Sequence, residues 1–388
     1  STEGLAGVTA NQTSNSISYT VAAAYREGDK ITFTFPAGAL VATTFPSQLN
    51  VPAVDSATSS SAIAGMALGL LNSTSNSVTY RVTSITQPDD TPGAGGTAYS
   101  DRTTLGNTIT LGAIGYTASS VLSAPVTVTV DSITTAGDVL DNTATRTATV
   151  AEAKSQFGTA VVSTQFDATI DVSAMRKAFV GATTDTMSWT ITNPTTTGWL
   201  NLATVNATNG TSVSIYGEAG KMTDRVASEW NAGGTRDFDA AGAKLTVAYA
   251  GMTTNDTITF TPATGTNAKV LEAQKFTTDF VVNYSSAAAQ AGAKTVATGV
   301  VSGEWDLNGA TVNIPYMPYG PNASQIIYVS NAGDQVGDIT VTVFDDKGKV
   351  YDLGVIGQAG AKKVTKLATL IIPKLQAAGF DGSKASIT

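Results

Sequence analysis

The chain repeats part of its own sequence, and this repeat constrains the fold more than any other feature. Residues 161–167 (VVSTQFD) return as 300–306 (VVSGEWD), and the FD…G.K pattern of 238–244 returns at 380–384. Three further matches lie between these two, in the same order along both copies. Five matches in one order predict a duplicated structural module rather than a chance similarity.

A second pair of segments recurs outside this module. Residues 19–22 with 29–33 resemble 245–248 with 256–260, so the chain has the order A–B–A′–B′, with A about 1–160, B about 161–243, A′ about 244–299 and B′ about 300–388. The segment A′ is too short for a core of its own, and we expect B and A′ to fold together. The predicted domains are an N-terminal β domain (1–160), a β-sandwich module with one short helix (161–299) and a second, shorter copy of that module (300–388).

Period-two alternation of apolar residues predicts that most elements are strands. In residues 29–35, Ile31, Phe33 and Phe35 lie on one face, and Pro36 ends the strand. The same period recurs at 107–111, 126–130 and 339–343, and the turn residues of 209–210 and 346–348 predict hairpins. We therefore predict a mainly all-β protein of tandem immunoglobulin-like β-sandwich domains with a few short covering helices.

Three short helices are predicted. Apolar residues at helical spacing indicate one in B and one at the corresponding place in B′, at Met222, Val226 and Trp230 and at Val364, Leu367 and Ile371. Pro373 is expected to break or kink the helix in B′. Thr149 with Glu152 forms a capping box before a third helix over 150–157.

The composition excludes several classes of function. Among its 388 residues the chain has no cysteine and no histidine, which excludes Ser–His and Cys–His catalysis and ordinary zinc sites. A large cysteine-free chain with only 13% charged residues is typical of a prokaryotic exterior protein. A net charge of −8 without a basic run predicts no binding to nucleic acid. The longest strongly apolar run, 63–71, is too short to span a bilayer.

Paired acids are the candidates for catalysis or for metal binding, at Asp89 with Asp90, Asp138 with Asp141, Asp237 with Asp239, and Asp345-Asp346 near Asp352. They stand beside Gly, Pro or Asn, which favours solvated turn residues over the two facing carboxylates of a glycosidase. Structural Ca²⁺ is the stronger rival, because it takes oxygen ligands from flexible loops, although no EF-hand loop is present. No catalytic or cofactor-binding residue is predicted, and the ligands of a metal stay open.

Aromatic residues suggest a carbohydrate platform, with the candidates Trp189, Trp199, Trp230, Trp305, Tyr316 and Tyr319. Trp189 and Trp305, however, fall where the other copy of the repeat has Tyr328 and Phe166. Matching aromatic positions favour a core that both copies share. The segment 315–321 (PYMPYGP) has no match in B, so we predict an exposed contact there, with a stiff connection between domains as the alternative.

The end of the chain resembles a known family. Residues 312–320 (VNIPYMPYG), 337–345 (GDITVTVFD) and 366–368 (KLA) are similar to surface-layer proteins of marine gammaproteobacteria such as Pseudoalteromonas. The resemblance implies a self-assembling, often calcium-dependent coat outside the outer membrane, with no catalytic residues. We therefore expect a secreted structural subunit, exported through a cleaved signal peptide. It would self-associate into an extended lattice, with outer-membrane lipopolysaccharide as a candidate surface partner.

Two other functions stay open at this point, a secreted adhesin or pilus-like subunit and a polysaccharide-degrading enzyme.

The repeat also suggests a mode of assembly. B′ stops at 386–388, opposite 246–247 of the earlier copy, so no counterpart of A′ follows it and B′ is expected to end in open strand edges. We expect B′ to meet the A segment of a neighbouring subunit, a head-to-tail contact that repeats without closing. The alternatives are that B′ is a complete small sandwich, or that the native chain continues beyond Thr388.

Overall fold

The computed structural model describes residues 1–41, 45–56, 61–89, 101–141, 146–239, 242–320, 323–334 and 336–388. Strands dominate these residues, so the prediction of a mainly β fold with a few short helices is confirmed. The chain divides into two compact units. The first contains Ser1–Gly158, Pro194–Val205 and Asn283–Lys294, and the second contains Thr159–Asn193, Asn206–Val282 and Thr295–Thr388.

The elements up to residue 158 are, in chain order, β1 (Gln12–Thr13), β2 (Ile17–Thr20), β3 (Lys30–Thr34), β4 (Gln48–Val51), β5 (Gly65–Ser73), β6 (Ser77–Thr86), β7 (Thr108–Gly112), β8 (Gly115–Tyr116), helix α1 (Ala118–Ser123), β9 (Val126–Ile133), β10 (Val139–Asp141) and β11 (Thr147–Ala151). One sheet has the strand order β10-β9-β3-β6-β5-β4, with β11 also on β9, while β2 pairs with β7 and β1 with β8. Ile31 and Phe33 are fully buried in a core shared with Ile109 and Leu111 of β7, so the predicted alternation is confirmed.

The elements from 159 to 307 are β12 (Thr159–Thr164), β13 (Thr169–Ile170), β14 (Asp185–Thr192), β15 (Thr204–Val205), β16 (Thr211–Tyr216), β17 (Trp230–Asn231), β18 (Thr235–Phe238), β19 (Lys244–Tyr249), β20 (Asn255–Phe260), β21 (Gln274–Ser285) and β22 (Ala291–Leu307). They form a four-stranded sheet, β12-β14-β20-β17, and a larger one, β13-β22-β21-β16-β19-β18, with β15 on β21. Trp189 of β14 lies 5.6 Å from Phe280 of β21, and Phe260 of β20 lies 4.7 Å from Trp305 of β22, between ring centroids. The two sheets therefore pack face to face as a sandwich around aromatic rings.

The remaining elements are β23 (Ile314–Pro318), β24 (Tyr328–Asn331), β25 (Gly337–Asp345), β26 (Val350–Ala359), β27 (Lys363–Lys366), helix α2 (Ala368–Ala377) and β28 (Lys384–Ile387). The sheet order is β23-β28-β25-β26, while β24 pairs with β27. Ile371 and Leu375 of α2 pack with Val343 and Ile387 in one core. Because β28 has a paired strand on each side, the expectation that B′ ends in an open strand edge is wrong for this strand.

The repeated segments of the sequence do not all occupy equivalent places in the structure. The matched segments of A and A′ fall on consecutive strands, β2 and β3 in A and β19 and β20 in A′, and in each copy the two strands belong to different sheets. The segments 161–167 and 300–306 instead lie side by side, since Phe166 bridges Gly303 in parallel and β13 pairs in parallel with β22. The strand β22 also runs through residue 300, where the third predicted domain begins. The division into three domains at these boundaries stays a prediction.

Local helix and turn signals had mixed outcomes. The helix in B′ forms, but Val364 lies in β27 and α2 continues through Pro373. The prediction of a helix over Met222–Trp230 is wrong, because this stretch forms only a 3₁₀ turn at Ala227–Glu229. The helix predicted after the capping box of Thr149 and Glu152 is also wrong. The strand β11 forms there instead, because its pairing with β9 overrides the local signal. The predicted hairpin at 346–348 is confirmed, since it joins the paired strands β25 and β26. The predicted hairpin at 209–210 is wrong, because the flanking strands β15 and β16 both pair with β21 and not with each other.

A buried ion pair closes the end of the sandwich near β17. Arg225 and Glu229 have side chains only 2% and 3% exposed, and Arg225 Nη1 lies 3.0 Å from Glu229 Oε1. The guanidinium also donates to the Val270 carbonyl at 3.1 Å, and Glu229 accepts the N–H groups of Val226 and Ala263 at 3.0 and 3.3 Å. Both charges are thus compensated, and removing one would leave the other buried without its partner.

A second buried charge ties the two sheets together. Asp185, at the start of β14, is 6% exposed and accepts the indole N–H of Trp305 on β22 at 2.6 Å. It also accepts backbone N–H groups from Thr186 at 2.8 Å and from Ala168, just before β13, at 3.3 Å. Burial raises the pKa of Asp185 above its ordinary 3.8, and these donors oppose that rise.

Replacing Glu229 with Gln should lower the free energy of unfolding by about 3–5 kcal/mol, because Arg225 would remain buried beside a neutral group. Denaturant titration measures this. The control is Glu218→Gln, which breaks the half-exposed pair with Lys221 at 2.6 Å and should cost at most about 1 kcal/mol. Equal losses in the two variants would show that the buried pair has no special role.

The raised pKa of Asp185 predicts a pH dependence. An acid with a raised folded-state pKa contributes stability below its ordinary pKa and loses that contribution as pH rises through the raised value. The stability of the wild type relative to Asp185→Asn should therefore fall as the pH increases from about 3.8. Denaturant midpoints across that range measure the effect, with the exposed Asp306→Asn on β22 as control. A pH-independent difference between wild type and Asp185→Asn would contradict the assignment.

Candidate assembly surface

Several of the predicted acid pairs accept hydrogen bonds from the backbone of their own turns. Asp239 Oδ1 accepts the N–H groups of residues 243 and 244 at 2.8 and 3.2 Å. Asp345 Oδ1 accepts two N–H groups of the β25–β26 hairpin at 2.9 and 2.7 Å, and Asp352 accepts one at 3.0 Å. These carboxylates satisfy donors that the turns leave unpaired.

The other acids do not converge on one site. Asp138 and Asp237 are exposed, and Asp89 donates its N–H to Asp55 at 2.9 Å, whereas Asp90 and the side chain of Asp141 lie outside the described residues. A hydrogen bond from Lys347 lowers the pKa of Asp381 and one from Ser383 lowers that of Asp346. Across the described ranges no three acidic side chains are grouped closely enough to hold a metal ion. A calcium site therefore stays a prediction.

The tryptophans predicted for a sugar platform are mostly core residues. Trp189, Trp230 and Trp305 are at most 1% exposed, and Trp199 is half-buried. Phe166, matched to Trp305 in the repeat, is also buried, but Tyr328, matched to Trp189, is 55% exposed. The shared-core interpretation is therefore wrong for Tyr328, because the strand that carries it belongs to a two-stranded ribbon with one open face.

The segment 315–321 divides between surface and core. Tyr316 is 62% exposed on β23, as expected for a contact residue. Met317 is buried, and the Tyr319 ring packs 4.7 Å from that of Phe380. Pro321 lies outside the described residues.

Exposed apolar side chains concentrate in one part of the chain. Of the 23 large hydrophobic residues exposed among the described residues, nine lie in the short stretch 312–364: Val312, Tyr316, Ile326, Tyr328, Val336, Phe344, Val350, Val355 and Val364. Scattered exposed apolar residues are normal, whereas a concentration marks a surface that contacts another molecule. The composition did not reveal this enrichment, because these residues alternate with Thr, Ser, Lys and Asp.

One such surface is the outer face of the C-terminal sheet. Helix α2 covers the opposite face, where Val341 and Val343 are buried. The strands β25 and β26 pair so that Phe344 stands opposite Val350 and Thr340 opposite Val355. Thr342 and the exposed Asp352 lie between these two pairs, so the face combines Phe344, Val350 and Val355 with polar side chains.

The second surface is the open face of the β24–β27 ribbon. Tyr328 pairs with Lys366 and Ser330 with Val364, so these four side chains share one face, which we call the ribbon face. All four are exposed, and Val364 is 66% exposed. The sequence contained a signal for it, since Lys363 and Lys366 stand at the two ends of β27, and lysine is common on protected edge strands.

A sequence model of the family described as S-layer protein Slr4 matches residues 29–388. No curated protein sequence matches the chain. Among solved structures, BspA_C_WT covers 76% of this chain and 93% of its own at 10% identity and a TM-score of 0.23. The structure of AggA, the major subunit of aggregative adherence fimbriae type I from Escherichia coli, covers 38% and 95% at 13% identity and a TM-score of 0.18. In the described ranges no helix is long and apolar enough to span a membrane.

If the outer face of the C-terminal sheet is a true surface in the isolated subunit, polar replacements there should be tolerated. Val355→Thr on that face should change the free energy of unfolding by less than about 0.5 kcal/mol. The matched replacement Val343→Thr, on the fully buried face, should cost about 1–3 kcal/mol, because it buries a hydroxyl. Denaturant titration of the two variants tests this, and a similar loss in both would show that the outer face is covered within the subunit.

Proposed function

The chain belongs to the family of S-layer protein Slr4 and is a structural subunit of an S-layer, and we propose that its exposed C-terminal surfaces join it to other copies in the layer. Membership of the family implies self-assembly into a lattice at the cell surface. The observation that carries the proposal is the concentration of exposed apolar side chains between residues 312 and 364. In an extended layer such side chains would be covered by neighbouring subunits.

Three further statements belong to the same proposal. The subunit is exported through a cleaved signal peptide, it attaches to outer-membrane lipopolysaccharide, and its source is a marine gammaproteobacterium. The similarity of 312–320 and 337–345 to proteins of that group supports the last of these. Exposed lysines such as Lys374 and Lys384 support the second, because ammonium groups pair with the phosphates of such lipids.

We also propose that the subunit has no catalytic activity and binds structural calcium. Support for the first comes from the sequence, which has neither histidine nor cysteine to act as a general base or nucleophile. Support for the second comes from turn carboxylates such as Asp352 and Asp138, which are exposed and offer oxygen ligands.

Purified subunit should form ordered two-dimensional sheets, seen by negative-stain electron microscopy. Bound calcium would stabilise the folded state by mass action, so excess chelator should lower the melting temperature and dissolve the sheets. Sheets that persist with an unchanged melting temperature would remove calcium from the proposal and leave the lattice intact. Dispersed monomers with and without calcium would contradict the lattice, and would favour a secreted adhesin instead.

A further inference from the structure

The β24–β27 ribbon carries an unusual combination of exposed groups. Tyr328 and Val364 offer apolar surface next to the ammonium group of Lys366, and Ile326, just before the ribbon, is 77% exposed. Lys362 pairs with Asp334 at 3.3 Å, but within the described part of the chain no carboxylate lies within ion-pair distance of Lys363 or Lys366. An apolar face with an uncompensated positive charge matches a partner that is acidic and able to cover side chains.

Charge is distributed unevenly along the chain. Residues 308–388 contain seven Lys and Arg against six Asp and Glu, whereas residues 1–307 contain fifteen against twenty-four. The C-terminal region is thus slightly basic and the rest of the chain strongly acidic. Two copies of the chain are therefore complementary if the C-terminal region of one meets the acidic part of the other.

We propose that the ribbon face is a docking surface for a second copy of this chain, which it meets within residues 1–307, where acidic residues are in excess. The inference rests on the proposed function, because it assigns one contact of the lattice to named residues. Two ribbon faces are poor partners for each other, since each carries the positive charge of Lys366 and neither carries a carboxylate. The contact is therefore heterologous, with different donor and acceptor surfaces, and such a contact can repeat to form an extended array.

A lipid phosphate surface is a less complete match to the ribbon face. Phosphate groups would pair with Lys366, but they would leave Tyr328 and Val364 in contact with polar head groups. Carboxylates of a second copy can pair with the lysine, while protein side chains next to them cover Tyr328 and Val364. The second copy therefore accounts for all three residues.

The test is the double variant Val364→Thr/Lys366→Glu. The protein concentration at which sheets first appear should rise about tenfold or more, since tenfold corresponds to about 1.4 kcal/mol, in the range of one lost charge pair with its apolar contact. The matched control is Val329→Thr/Lys363→Glu, which makes the same two replacements on the opposite face of the ribbon, where Val329 pairs with Thr365 and Lys363 with Asn331. Melting curves should show that both variants remain folded.

A mixing experiment tests the heterologous geometry. The variant keeps its acceptor surface, so adding it to the wild type as a minor component should cap growing arrays and yield smaller sheets, whereas the control variant should be incorporated without effect. Raising the ionic strength should weaken wild-type assembly more than assembly of the double variant, because screening removes the lysine contribution.

The outcomes separate the inference from the proposed function. Sheets formed by the double variant at the wild-type concentration would overturn the inference and leave the S-layer subunit intact. Failure of the wild type to form sheets would contradict the proposed function itself. If the double variant assembles normally but no longer binds vesicles that contain lipopolysaccharide, while the control variant still binds, the ribbon face is a lipid-anchoring surface and the inference is wrong.

Discussion

The carboxylate of Asp185 is the interaction on which the central sandwich depends. It connects β14 of the smaller sheet to Trp305 on β22 and to the backbone before β13 in the larger one. The aromatic rings of Phe166, Phe260 and Phe276 then pack around Trp305 within 6.3 Å between centroids. The indole N–H of Trp305 finds its partner in this carboxylate, and backbone donors compensate part of the carboxylate's burial. Shape and polarity are therefore satisfied by the same contact.

The surface of the protein carries few charged side chains. Only 13% of the residues are charged, and the exposed strand faces alternate apolar residues with threonine and serine. Such faces are soluble enough for a free subunit, yet they cost little desolvation when a neighbour covers them, because few ions lose their water. A low charge density thus suits a protein whose surface is shared between many copies.

The strands were predictable from the sequence because their signal is local. Alternation placed Ile31 and Phe33 in the core, and the turn residues before Gly348 set a hairpin. The helix expected before Trp230 failed because that side chain is needed in the core, on a strand paired with β20. Tyr328 was predicted to be buried because it matches Trp189 in the repeat. A repeat match identifies equivalent residues, but it does not show whether the second copy has a sheet that covers the side chain. The ion pair of Arg225 and Glu229 depends on contacts with residues 263 and 270, which no local pattern reveals.

The parallel pairing of β13 with β22 also has a consequence for the time at which the sandwich can form. Thr169 pairs with Asp306, so one edge of the sheet is completed by residues 137 positions apart. Contacts so distant in sequence must close a long loop before they gain any stabilisation, and folding dominated by them is slow. We expect the sandwich to close only after residue 306 has been synthesised. Until then β13 lacks its partner strand, and this edge of the larger sheet stays open.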